Sequence, residues 1–286
     1  MHPNNIHRNS NYNFKELIKA NPKLKEFVFM NSYNNETIDF HNADAVIALN
    51  KAVLIHFYNV KNWELPSGYL CPPVPSRVDY IHHIADLIPS DKTLIKGLDV
   101  GVGANAIYTI LGTQVYGWEM TGCDINAESI QIAQKNIDFT TNLAEKVTLK
   151  HQTNNALIFE GIITENDFFD VTICNPPFHS SEEEATKGTL KKLSNLNKKT
   201  FSLNFGGQSN ELWCNGGEAL FIKRMIKQSS LFKNQVGVFS SLVSKKENLP
   251  KIEKQLKKLK ASFKVIPMEH GNKKTRIIAW SFINTL

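Results

Sequence analysis

The spacing of apolar positions changes once along this chain, near residue 90. Before it, apolar side chains recur at helical spacing: Phe14, Leu17 and Ile18 share a face that stops at Asn21-Pro22, and Leu24, Phe27 and Val28 begin another. Residues 33–40 suit a small hairpin around Asn34-Asn35. Residues 43–58 form a stronger helical pattern, with Val46, Leu49, Val53 and Phe57 at core spacing. Cys71-Pro-Pro-Val-Pro-Ser-Arg77 reads as a stiff connector. Ser76 and Asp79 fit a capping box for the next helix, which turns Ile81, Ile84, Ala85 and Ile88 inward and stops before Pro89.

Beyond residue 90, short apolar runs alternate with amphipathic stretches. Strands are predicted at 94–100, 120–125, 147–151, 170–174 and 235–243, with helices at about 106–111, 127–139 and 216–232. In the last of these helices Leu220, Met225 and Ile226 or Ile222 point inward, and Lys223, Arg224 and Lys227 outward. Residues 251–260 form a strongly basic helix with Ile252, Leu256 and Leu259 on its apolar face. Strands at 262–267 and 276–282, turning near Gly271-Asn272, close the chain. Five β/α units followed by a hairpin predict an α/β, Rossmann-like fold with a seven-stranded sheet whose last strand is antiparallel. The division is a mainly helical extension over 1–90 and a main domain over 91–286.

The 286 residues are 42% hydrophobic and 21% charged, a globular composition, and no apolar run approaches the ~20 residues of a membrane span. The start, Met1-His-Pro-Asn-Asn, has no apolar signal region, so a cytoplasmic protein is expected. Cys71, Cys123, Cys174 and Cys214 are scattered, with neither C-x-x-C nor a His cluster, so no metal site is expected. The net charge of +6 favours an anionic partner only weakly.

Two motifs carry chemistry. The first strand runs into Asp99-Val-Gly101-Val-Gly103-Ala-Asn105-Ala106, a strand–glycine loop–helix arrangement that lets a ligand approach the backbone. Asp124, about twenty residues on and ending the second strand, suits ribose hydroxyls. These residues fit an adenosine-containing cofactor, NAD or S-adenosylmethionine alike. The second motif, Asn175-Pro176-Pro177-Phe178, ends a buried-type strand. Prolines cannot continue a central strand, and their carbonyls with the Asn175 amide oxygen form a compact acceptor set beside a flat aromatic. An exocyclic amine on a flat ring suits that set, which favours a methyl donor over a nicotinamide cofactor. Between about 179 and 215 no element is convincing. This segment opens acidic at Glu182-Glu-Glu184, then carries Lys187, Lys191, Lys192, Lys198 and Lys199, with Phe201, Phe205 and Trp213 after them. Lysines followed by aromatics suit single-stranded nucleic acid.

The chain resembles the class I S-adenosylmethionine-dependent methyltransferases, and more narrowly the bacterial 23S rRNA (adenine-1618-N6)-methyltransferase family, related to the U6-type RNA adenine methyltransferases. The residues carrying the resemblance are Pro72-Pro-Val-Pro-Ser-Arg77, the glycine loop from Leu98 to Tyr108, Cys174-Asn-Pro-Pro-Phe-His179, Leu203-Asn-Phe-Gly-Gly207 and Glu211-Leu-Trp-Cys-Asn-Gly-Gly-Glu218. The resemblance implies methyl transfer to one adenine N6 of 23S rRNA, free or in an assembly particle, by a monomer whose extension helps hold RNA. It implies catalytic roles for Asn175, Pro176, Pro177 and Phe178. It implies cofactor contacts from Arg77, Asp99, Gly101, Gly103, Asn105, Asp124 and Asn155. Lys191, Lys192, Lys198 and Lys199 are expected to meet RNA phosphates. The residues alone leave two alternatives open: a protein glutamine-N5 methyltransferase, and a non-catalytic RNA-binding protein on the same fold.

Overall fold

The computed structural model describes residues 1–8, 12–177, 216–270 and 273–286. Helix α1 (Phe14–Ala20) starts where the Asn13 side chain accepts from the Glu16 N–H, and Asn21-Pro22 stops it. The second helix expected there is a short 3-10 turn, Pro22–Phe27, leading into strand β1 (Val28–Met30). That strand pairs with β2 (Glu36–Ile38), so the hairpin turn does lie at Asn34-Asn35, with Asn34 at φ 59°. Its first strand lies upstream of the predicted span. Helix α2 (Ala43–Tyr58) has the predicted ends. Leu49 and Val53 are buried, but Phe57 is 39% exposed, and Ala45, Ala48 and Ala52 complete the inner face instead.

Helix α3 (Val74–Ala85) corrects the capping box. It begins three residues earlier, behind Pro73 and with Pro75 in its first turn, where a missing N–H costs nothing. Asp79 is instead a buried tether: its Oδ1 accepts from the His2 backbone N–H at 2.7 Å and from Asn5 Nδ2 at 2.9 Å.

The main sheet comprises β3 (Lys96–Val100), β4 (Glu119–Asp124), β5 (Val147–His151), β6 (Phe169–Cys174), β7 (Val236–Val243), β8 (Ser262–His270) and β9 (Lys273–Ser281). Their order is β5-β4-β3-β6-β7-β9-β8; β9 alone runs against the rest, lying antiparallel to both β7 and β8. The strand order reverses direction between β3 and β6, the place where open α/β sheets bind ligands. Helices α4 (Ile107–Tyr116), α5 (Ala127–Asp138), α6 (Thr141–Lys146), α7 (Gly217–Ser229) and α8 (Leu249–Lys258) join the strands. Leu220, expected inward on α7, is 38% exposed; Ile222, Met225 and Ile226 form the buried stripe.

The hydrophobic core does not break at residue 90. One buried cluster runs from Phe14, Leu49 and Trp63 through Tyr80 and Ile84 to Ile173 and Val238 of the sheet. Trp63 donates from Nε1 to the Asn105 carbonyl at 2.9 Å, fastening the extension to the glycine loop.

Candidate active site

The carboxyl ends of β3, β4 and β6 open on a cavity of about 340 Å³. Its first wall is the glycine loop. Gly101 sits at φ 79° and Gly103 at φ 60°, in the left-handed region that favours glycine. A Cβ at Gly101 would meet no atom within 4 Å, so that position faces open space.

The loop's amides already have partners. Gly101 N–H and Val102 N–H both donate to the Cys123 carbonyl at 2.9 Å. Gly103 N–H donates to Asp124 Oδ2 at 2.9 Å, and Ile107 N–H, at the start of α4, donates to Asn105 Oδ1 at 3.0 Å. A pyrophosphate binds such loops through free N–H groups at a helix N-terminus. Here four of those donors, the N–H groups of Gly101, Val102, Gly103 and Ile107, are occupied from within. The wall therefore fits an adenosine cofactor without phosphates, S-adenosylmethionine, and disfavours a dinucleotide.

Asp124 ends β4 and lines the cavity. Its Oδ1 also accepts from Asn126 N–H at 2.9 Å. Burial raises its pKa, opposed by these backbone bonds. A carboxylate has about four acceptor sites, so two N–H bonds leave room for a ribose. Arg77, in the first turns of α3, reaches the same cavity and donates from Nη1 to the Tyr108 hydroxyl at 2.9 Å. Asn105 and Asn155 are on the wall too; the Asn155 carbonyl accepts from Arg224 Nη2 at 3.3 Å.

Asp99 is placed differently from the other predicted cofactor residues. It is fully buried behind the loop and is not part of the cavity wall. Neither carboxylate oxygen makes a well-formed hydrogen bond among the described residues, although the Thr109 backbone N–H lies close enough to favour the charged form. Burial pushes its pKa up to about 8, with the nearby Asp124 adding to the rise and Arg77 opposing it.

The second wall follows β6, whose six residues are all buried. Asn175, Pro176 and Pro177 come directly after it and line the cavity. Asn175 Oδ1 is buried and has no partner among the described residues. Leaving such an acceptor unpaired costs ~1–3 kcal/mol, so the position suits a ligand's N–H. The strand end is held from the extension: Cys174 N–H donates to the Tyr80 hydroxyl at 3.4 Å, and that hydroxyl pairs with Ser240 Oγ at 2.8 Å. Phe178 and Lys191, Lys192, Lys198 and Lys199 lie outside the described residues.

Among the lining residues to which sequence reasoning gave no role are Tyr108, Phe221 and Arg224. Tyr108 lay inside the glycine-loop motif but had no assigned role. Phe221 and Arg224 come from α7, where Arg224 was expected outward. Its guanidinium instead reaches the Asn155 and Ala156 carbonyls. The signal for this was weak, since helical spacing alone puts Arg224 beside Lys223. Among the described residues, no group of three or more His, Cys, Asp or Glu side chains is placed to hold a metal ion.

A family model described as RNA methyltransferase matches residues 1–284. The chain is 56% identical over 285 residues to the ribosomal RNA large subunit methyltransferase F of Christiangramia forsetii, covering 99% of this chain and 100% of that one. It is 49% identical over 297 residues to the protein of the same name from Flavobacterium johnsoniae, covering 99% and 94%. Among solved structures, the hMettl16 catalytic domain in complex with the MAT2A 3'UTR hairpin 1 matches with a TM-score of 0.85 and 25% identity, covering 99% of this chain and 96% of that one. The N-terminal domain of human METTL16 in complex with SAH matches with a TM-score of 0.81 at 25% identity, covering 99% of each. With a cavity that suits a phosphate-free adenosine cofactor and an acceptor awaiting an amine, the chain belongs to the RNA methyltransferase family.

Proposed function

We infer that this chain is an S-adenosylmethionine-dependent N6-methyltransferase acting on one adenine of 23S rRNA, adenine 1618 by family resemblance; its relatives are named as ribosomal RNA large subunit methyltransferases. The observation that carries the reading is Asn175 Oδ1, a buried acceptor without a partner among the described residues, across from a phosphate-free cofactor wall. When bound, S-adenosylmethionine supplies a methyl group already activated on sulfur. Asn175 Oδ1 and the Pro176 carbonyl accept the two N6 hydrogens of adenine. As the methyl–nitrogen bond forms and the methyl–sulfur bond breaks, leaving the thioether S-adenosylhomocysteine, the amine's lone pair leaves the ring and the nitrogen becomes tetrahedral and more acidic. Both acceptor bonds then strengthen, and interactions that strengthen toward the transition state accelerate the step. The nitrogen then loses one of its hydrogens as a proton to water. Pro177 holds the turn extended, and Phe178 stacks on the flipped base.

On the cofactor side, Arg77 meets the methionine carboxylate, Gly101, Gly103 and Asn105 shape its path, Asp124 takes the ribose and Asn155 lies by the cofactor adenine. Asp99 stands behind the loop, a buried carboxyl whose pKa is pushed up to about 8, and supports the cofactor wall from within. Lys191, Lys192, Lys198 and Lys199 take phosphates of a locally single-stranded segment, and the extension over 1–90 adds to the RNA grip. The enzyme works as a monomer in the cytoplasm, on free 23S rRNA or on a large-subunit assembly particle. Among the described residues, no helix is long and apolar enough to cross a membrane.

The test is incubation with tritiated S-adenosylmethionine and 23S rRNA from cells lacking the modification, followed by nucleoside analysis. Label in N6-methyladenosine at one site is expected. Label recovered in protein glutamine instead, or none in RNA, overturns the reading.

A further inference from the structure

The Gly216-Gly-Glu218 motif has no part in the cavity described so far, yet among the described residues Glu218 is a buried carboxylate that accepts four hydrogen bonds. Glu218 is 2% exposed, in the first turn of α7. Its Oε1 accepts from Ser244 N–H at 2.6 Å and from the Ser244 hydroxyl at 2.5 Å. Its Oε2 accepts from Lys245 N–H at 3.2 Å and from Asn248 Nδ2 at 2.6 Å. One buried side chain thus fixes the whole turn that leaves β7.

That turn lies at the substrate edge of the sheet. β7 is the parallel neighbour of β6, with Val171 level with Val238, so both strands deliver their carboxyl ends to the same side. β6 delivers Asn175 there. β7 delivers exposed Lys245 and Lys246. Helix α7 joins the two places, since its Phe221 and Arg224 line the cavity while Lys223 and Lys227 are exposed. Helix α8 extends the same surface: Gln255 Nε2 donates to the Lys223 carbonyl at 2.8 Å, and Lys251, Lys254, Lys257 and Lys258 are exposed. Residues 216–264 hold twelve Lys and Arg against three Glu, and the whole chain has an excess of only six. The positive charge of this protein is concentrated here.

We propose that the Glu218-clamped turn and the outer face of α8 form a phosphate rail, on which Lys245, Lys246, Lys251 and Lys254 hold the RNA strand that flanks the flipped adenine. This rests on the function inferred above. A nucleic-acid strand is the occupant because a row of lysines running away from a base-sized cavity matches a polyanion that enters it. A membrane surface is disfavoured because the apolar side chains of α8, Ile252 and Leu256, are buried in the core and leave nothing to insert. Glu218 is a positioning residue, acting through the turn.

The test compares Lys245→Gln/Lys246→Gln and Lys251→Gln/Lys254→Gln with Lys135→Gln/Lys146→Gln, an equal charge change on and beside the far edge of the sheet. RNA affinity is measured across a salt series, with KM for RNA and S-adenosylmethionine affinity alongside. Each rail variant is expected to flatten the log–log salt slope by ~0.7 per lost phosphate contact, about 1.4 in all. The loss should fall on KM for RNA, with cofactor affinity held. Slopes equal to wild type, or equally flattened by the control pair, overturn the rail.

Glu218→Gln adds a further discrimination. It makes the protein more positive, so charge alone predicts tighter RNA binding, whereas a released turn predicts weaker binding at unchanged cofactor affinity. Tighter binding overturns the clamp; if this variant does not fold, the lysine pairs decide the proposal by themselves. A wild-type protein that neither binds nor methylates RNA would instead strike the functional reading, which separates the two failures.

Discussion

The two walls of the cavity handle their polar groups in opposite ways. On the glycine-loop wall the described donors at Gly101, Val102, Gly103 and Ile107 all have partners inside the protein. On the other wall the Asn175 amide oxygen is buried and has no partner among the described residues. The first wall is stiffened before any ligand arrives, and binds by shape and by the acceptor capacity left on Asp124. The second carries an unmet hydrogen bond that an incoming amine satisfies. A preorganised wall suits a cofactor bound the same way in every cycle. An unsatisfied acceptor suits the group that reacts, because its bond is worth most when charge develops on that group.

The sharpest way to break this contrast is Asn175→Ala. The variant removes the unpaired acceptor and touches none of the loop's internal bonds. Methyl transfer is expected to fall by about 10²–10³-fold in kcat, by analogy with deleting one oxyanion-hole donor, the converse case of a group that stabilises developing charge. Cofactor affinity by calorimetry should stay at the wild-type value. A variant that turns over normally would mean that the second wall is a turn and no more.

The stiffened wall hides a titration. Asp99 has a pKa near 8 in the folded chain, against 3.8 for a free aspartate. Between those values the unfolded chain has lost the proton that the folded chain keeps. Stability from this group is therefore complete below about pH 4 and declines as pH rises through about 8. The slope is at most ~1.4 kcal/mol per pH unit within that window. Asp99→Asn removes the titrating proton. The stability difference between variant and wild type, from denaturant melts at pH 5 to 9, should move in the variant's favour and level off above pH 8. A difference that does not change with pH would mean that the carboxyl is ionised throughout.

Much of this architecture could be read from the sequence, and where it could not, the cause was long-range packing. Helix 43–58 and strand 147–151 match because their patterns are complete within the segment. The seven-stranded sheet with its antiparallel last strand followed from alternating β/α units and the closing hairpin. The start of α3 was misplaced because Pro-Pro-Val-Pro reads as coil, although a proline in the first helical turn is well tolerated. α6 escaped notice because Leu143 is its one buried residue. β8 and β9 extend further than predicted because Glu269, Lys273 and Lys274 look like turn residues when their pairing partners are unknown. At the site, Gly101, Gly103, Asp124 and Asn175 announce themselves by local chemistry. Arg224, the hydroxyl of Tyr80 and the clamp at Glu218 gain their meaning from partners some 25 to 160 residues away.

The smallest of the three effects concerns Asp124, where the two walls' logic overlaps in one side chain. Its carboxylate holds Gly103 N–H and Asn126 N–H, and the same group is proposed to take the ribose. Asp124→Ala is expected to weaken S-adenosylmethionine by about 1.5–3 kcal/mol, the range for a hydrogen bond to a charged group. That loss alone is ambiguous, because freeing Gly103 N–H also loosens the loop. A cycle in the ligand resolves it. Wild type and variant are each titrated with S-adenosylhomocysteine and with its 2'-deoxy and 3'-deoxy analogues. If Asp124 holds a ribose hydroxyl, the wild type loses affinity for at least one analogue and the variant shows no further loss with it. If the carboxylate only braces the loop, the ligand's loss and the protein's loss add, as they do for independent sites. Additive losses would leave the glycine loop as the whole of the cofactor wall and move the ribose contact elsewhere.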